Sequence, residues 1–142
     1  MENLTQNTKI TFKAPIAEVW NGLTDPAVVK QYFFGTNLKS DWKVGSPITF
    51  SGEWDGKTYV DKGIILDINA PGLLKYSYWS SMSGTEDQPE NYNNITYELS
   101  EFERTTTLVI IQEGVKNKEA AEHSEQMWTS VFDGLKKILE KN

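Results

Sequence analysis

The longest periodic stretch of the chain is the last one. From Lys118 to Asn142, apolar residues fall at Ala121, Trp128, Val131, Phe132, Leu135, Ile138 and Leu139. This three-and-four spacing predicts an amphipathic helix. Its other side carries Lys118, Glu122, Glu125, Lys136, Lys137 and Glu140. Burying Trp128, Val131, Phe132, Leu135 and Leu139 contributes about 1.5–3 kcal/mol each. One helix cannot bury that stripe alone, so the rest of the chain must supply a concave partner.

Upstream, the period falls to two. Ile10 and Phe12 alternate with Lys9, Thr11 and Lys13, which predicts a strand over Gln6 to Lys13. Pro15 then opens a short helix through Glu18, Val19, Trp20 and Leu23. Asp25 caps a second one, with Pro26 at its first position, running to about Tyr32. Phe33-Phe34-Gly35 ends it. Strands follow at Leu38 to Trp42, and at Pro47 to Trp54 with Ile48, Phe50, Gly52 and Trp54 on one parity. Asp55-Gly56 is a hairpin signal leading into a strand from Lys57 to about Ile68. After the turn Asn69-Ala70-Pro71-Gly72, the strand Leu73 to Ser80 puts Leu74, Tyr76 and Tyr78 on one side. Ser81 to Tyr92 has little to bury and is expected to be a mobile loop. Two last strands carry Ile95, Tyr97 and Leu99, then Thr106 to Glu113, before Gly114 leads to the helix. The order predicts an α+β fold: a curved antiparallel sheet of seven strands around the C-terminal helix, with two short helices after the first strand. Glycines 52, 63 and 72 are the expected places for bends.

Length and composition narrow the picture. The 142 residues are read as one domain, 1–142, large enough for a core. No apolar run reaches the roughly 18 residues a membrane span needs, and Met1 to Lys9 has no signal-peptide character. Without cysteine there are no disulfides, thiolate metal sites or thiol nucleophiles, which fits a cytoplasmic location. A net charge of −6 argues against a nucleic-acid partner.

With these elements placed, Ala14-Pro15-Ile16-Ala17-Glu18-Val19-Trp20-Asn21-Gly22-Leu23-Thr24-Asp25-Pro26 resembles the opening of the START-related (SRPBCC) superfamily. More narrowly it is similar to homologues of the activator of heat-shock protein 90 ATPase, C-terminal domain type. The resemblance continues through Ser40-Asp41-Trp42-Lys43-Val44-Gly45, Gly63, Pro71 to Tyr78, Trp128 and Leu135, and so covers nearly the whole chain. It implies a helix-grip fold, and in relatives the sheet–helix gap is often a cavity for an apolar small molecule. It does not fix function, because this fold hosts lipid carriers, hormone receptors, cyclases and co-chaperone domains. The chain as read lacks the N-terminal domain of the eukaryotic co-chaperone, which places chaperone activation second.

Candidate chemistry is sparse. His123, near Glu119 and Glu122, has no third ligand at a matching spacing, so neither a metal nor a cofactor is expected. No Gly-x-Ser-x-Gly elbow and no phosphate loop is present. Glu53 and Asp67 lie within strands and would be general acids or bases only if they faced inward; by alternation Glu53 faces away from Phe50 and Trp54. The five Trp, six Tyr and six Phe say more. Trp20, Tyr32, Phe34, Phe50, Trp54, Tyr76, Tyr78, Tyr97, Met127, Trp128 and Phe132 converge on the sheet–helix gap, either lining a cavity or filling the gap themselves. The loop Ser81 to Tyr92 would be its rim or lid. The leading expectation is a binding protein for an apolar or aromatic small molecule. A protein-interaction module with a chaperone partner is the alternative. A cyclase- or hydrolase-like enzyme using a cavity Tyr or carboxylate is the third reading.

Overall fold

The structure, a computed structural model, describes residues 4–33, 35–54, 56–81, 85–115 and 117–140, with Trp54 described by its backbone alone. Strand β1 (Leu4–Phe12) is followed by helices α1 (Ile16–Thr24) and α2 (Pro26–Tyr32). Strands β2 (Asn37–Ser40), β3 (Pro47–Trp54), β4 (Lys57–Asn69), β5 (Leu73–Ser80), β6 (Asn93–Phe102) and β7 (Thr105–Val115) come next, and α3 (Lys118–Leu139) closes the chain. Among the described residues the seven strands form one antiparallel sheet in the order β1-β7-β6-β5-β4-β3-β2. From β2 to β7 each strand pairs with its sequence neighbour. The chain leaves β1 on one edge and reaches β2 on the other, so α1 and α2 carry it across. This is the helix-grip arrangement.

Local chemistry accounts for the helix starts. Asp25 Oδ1 accepts from the Ala27 amide at 3.0 Å, with Pro26 in the first turn of α2. Asn117 Oδ1 accepts from Ala120 N at 2.8 Å and starts α3, whose last turn carries Lys136 and Lys137 where the helix dipole favours cations. The buried face of α3 is Ala121, Trp128, Val131, Phe132 and Leu135. They join Phe12, Val19, Leu23, Val29, Leu74, Leu108 and Ile110 in the core. Gly22 lets α1 approach α3, since a Cβ there would lie 2.7 Å from Leu135.

Gly63 is the tightest point of the sheet. A Cβ on it would fall 1.6 Å from the Ser77 carbonyl oxygen. The β4–β5 register shifts between Ile65 and Asp67, and Ser77 Oγ takes the Ile64 amide at 2.9 Å. The bend expected near Gly63 is therefore a close approach of β4 to its neighbour β5 beside a register shift.

One feature here is new and one expectation changes. Val60, Ile64 and Leu66 of β4 are exposed, while Tyr59, Asp61, Gly63 and Ile65 face the core. The apolar parity of this strand is the outer one. The loop after β5 is also not loose over its described part. Asp87 bridges Lys62 at 2.5 Å and accepts from the Tyr92 hydroxyl at 2.6 Å. Trp79 stacks on Tyr92 at 6.4 Å and donates to Thr85 Oγ1 at 3.1 Å. Lys62 and Trp79 sit on the outer parity of their strands, so residues 85–92 fold onto the convex face and do not cover the concave one. Charge pairing and a stray indole draw the loop there. No helix among the described residues is long and apolar enough to cross a membrane.

Candidate functional site

The aromatic residues form a continuous array between sheet and helix. Trp128 and Phe132, four apart on α3, stack at 5.8 Å with planes 7° apart. Tyr97 of β6 meets both edge-on at 6.2 and 6.0 Å. Tyr76 follows at 5.7 Å, its hydroxyl bonded to that of Tyr97 at 2.9 Å. Phe50 of β3 then touches Tyr76 and Tyr78 at 5.8 and 5.9 Å. From the α2 side, Tyr32 packs on Phe132 at 5.9 Å and Phe33 on Phe50 at 6.1 Å.

The array does not fill the gap. A cavity of about 250 Å³ remains against Phe50, Tyr76, Tyr78, Met127 and Trp128. Phe33, Tyr59, Asp61, Ser80, Ile95 and Gln112 complete its wall. Five of the expected aromatic and Met positions thus come together on one hollow. Tyr32, Tyr97 and Phe132 belong to the packed array instead: Tyr97 and Phe132 are 4% and 1% exposed and spend their faces on neighbouring rings. Trp20 lies apart, in a surface hollow with Trp42 and Ile68. Phe34 and the Trp54 side chain lie outside the described residues.

The polar groups on this wall were not anticipated. Asp61 is 9% exposed. Its Oδ2 accepts from the Tyr78 hydroxyl, and its Oδ1 is buried with no hydrogen-bond partner among the described residues. Gln112 Oε1 accepts from Trp128 Nε1 at 3.0 Å, which fixes the indole as one wall. Tyr59 shares a hydrogen bond with Thr36 and ties β4 to the segment after α2. By contrast Glu53 and Asp67, the strand carboxylates considered from sequence, are exposed, and Asp67 Oδ1 accepts from the Ile68 amide at 2.9 Å. His123 is exposed on α3.

The tyrosines are strongly perturbed. Burial, then Asp61 beside it, pushes the Tyr78 phenol far above its ordinary range. Burial does the same to Tyr76, with Tyr97 adding to it. It raises Tyr97, offset in part by the Tyr76 hydrogen bond, and it raises Tyr32. All four remain hydrogen-bond donors at any ordinary pH.

Comparison with known proteins gives the chain its place. It is similar to ChR145 from Cytophaga hutchinsonii, whose solution structure it matches with 41% identity and a TM-score of 0.85 over 99% of this chain and 97% of that one. It shares its fold with MLL2253 from Mesorhizobium loti (20% identity, TM-score 0.78, 98% of each chain). It shares it too with the Aha1 dimer from Colwellia psychrerythraea (16% identity, TM-score 0.75, 97% of each chain). No curated protein sequence matches it. The model of the activator of Hsp90 ATPase homolog 1-like proteins matches residues 13–140, so the chain belongs to that START-related family.

Proposed function

We propose that the chain binds an apolar or aromatic small molecule in the cavity between its sheet and α3. The observation that supports this most is the hollow itself. A gap of about 250 Å³ persists beside Met127 and Trp128 although Trp128 and Phe132 are tightly stacked. It exceeds the roughly 150 Å³ that suffices to hold benzene in an apolar protein interior. Rings supply most of its wall, as in small-molecule sites generally. Intrinsic Trp fluorescence, titrated with aromatic and aliphatic probes, tests the reading, since Trp128 is part of the wall. Met127→Trp should abolish the response while the thermal midpoint stays within a few degrees. Retained binding in that variant, or no response to any probe in the unaltered chain, counts against it.

An interaction module of the Hsp90 ATPase activator type is the second reading, and family membership is what favours it. Co-purification with a heat-shock protein 90 homologue, together with its ATPase rate, decides the matter; an unchanged rate and no co-purification remove it. The enzymatic reading gains an inward carboxylate with a bonded partner, Asp61 with Tyr78. Yet a phenol held so far above neutrality surrenders no proton under working conditions. The pair is better suited to holding a hydrogen bond than to moving a proton.

A further inference from the structure

Resting on the small-molecule reading, we propose that the ligand is a protonated primary or secondary amine on an aromatic or apolar body, and that Asp61 is its anchor. An apolar ligand alone gives no reason for a carboxylate on this wall. Asp61 is nine-tenths buried, and a buried polar oxygen without a partner is costly. Tyr78 occupies Oδ2 and, staying protonated, holds the carboxyl in place. Oδ1 is buried without a partner, on a residue that borders the cavity, so a small turn of the carboxyl is what would present it to a guest. As a carboxylate oxygen it would be an acceptor, so what completes it is a donor.

The surroundings select among donors. Phe33, Phe50, Tyr76, Tyr78 and Trp128 border the same cavity, and aromatic faces attract cations. A ring set plus one carboxylate is a recognition chemistry for ammonium. A quaternary ammonium would meet the rings but bring no N–H to Oδ1, so a nitrogen bearing hydrogen fits better. A carboxylate ligand would meet Asp61 as a like charge. The chain's net charge of −6 works in the same direction, favouring approach of cations. At about 250 Å³ the cavity matches a one- or two-ring amine and is too small for a long-chain lipid.

Four probes of nearly one shape test this by calorimetry and by ring proton shifts: phenethylamine, its N,N,N-trimethyl derivative, propylbenzene and 3-phenylpropanoate. The expected order is phenethylamine first, tighter than propylbenzene by about ten- to a hundredfold, the scale of a charge-assisted hydrogen bond. The trimethyl compound should fall between them, and the carboxylate should bind least. Asp61→Asn should bring phenethylamine down to propylbenzene while leaving propylbenzene unchanged. Tyr78→Phe, which keeps the carboxylate, should keep the amine preference. Equal binding of amine and propylbenzene by the unaltered chain would overturn the proposal, as would an amine preference that survives in Asp61→Asn. Either result leaves cavity binding intact. Binding of none of the four overturns both, and because the deciding contrast lies in the unaltered chain, a variant that fails to fold does not protect the idea.

Discussion

Raising the pH should unfold this protein with unusual steepness. Tyr32, Tyr76, Tyr78 and Tyr97 have phenols raised in the folded state, above all by burial. Below about pH 10 both states keep these protons, and their contribution to stability is constant. Above it the unfolded chain releases them and the folded chain does not, so stability falls as pH rises. Each such group removes about 1.4 kcal/mol per pH unit, and four together remove about 5 kcal/mol per pH unit. A total stability of about 5–15 kcal/mol would then be consumed within roughly one to three pH units. Urea unfolding measured at intervals from pH 9 upward gives the slope. Tyrosinate absorbance should show these four phenols ionising only together with loss of the near-ultraviolet circular dichroism. Tyr97→Phe should lower the slope by about a quarter. Full tyrosinate development with the fold intact would show that burial does not hold these protons, and the reasoning would fail.

Three other perturbations probe the frame. Gly63→Ala places a methyl 1.6 Å from the Ser77 carbonyl oxygen and must push β5 off β4. With adjacent strand hydrogen bonds lost and left buried, it should cost about 3–5 kcal/mol, seen as a fall in the urea midpoint. Glu103 and Arg104, between β6 and β7, have φ of +50° and +61°, the geometry of a type I′ hairpin turn. Arg104→Gly should relieve left-handed strain by about 1 kcal/mol and raise the thermal midpoint by roughly 3 °C. Trp128→Ala should cost about 3–5 kcal/mol, since it removes the stack with Phe132 and the bond to Gln112 together.

What the sequence conveyed depended on how well each pattern was punctuated. Asp25-Pro26 and the residues after it defined α2, and Asp55-Gly56 defined the start of β4, because capping and turn chemistry leave little choice. The floor of the cavity was harder. In β4 the parity with more aliphatic residues is Val60, Ile64 and Leu66, and these are exposed. Choosing the inner face by apolarity alone therefore hides Asp61. The signal was nevertheless present in the hairpin. A two-residue turn pairs Trp54 with Lys57, and counting back pairs Phe50 with Asp61. Antiparallel partners share a face, so an inward Phe50 brings Asp61 inward with it. The aromatic set was legible as a set but not in its division of labour. Which rings pack, such as Tyr97 and Phe132, and which border a hollow depends on curvature at Gly63 and on the depth at which α3 lies, and neither has a period.

Helix α3 is uneven along its length. From Lys118 to Met127 its one buried residue is Ala121, whereas Trp128, Val131, Phe132 and Leu135 follow in close succession, the last against Gly22 of α1. Local opening free energy follows buried contact, so backbone amides before Trp128 should exchange with solvent well before those after it. The half of the helix with the shallower hold is the half that leads up to the cavity wall. Exchange of the proposed guest would then need only a partial unwinding at one end, with the sheet and the rest of the helix keeping the chain folded while it occurs.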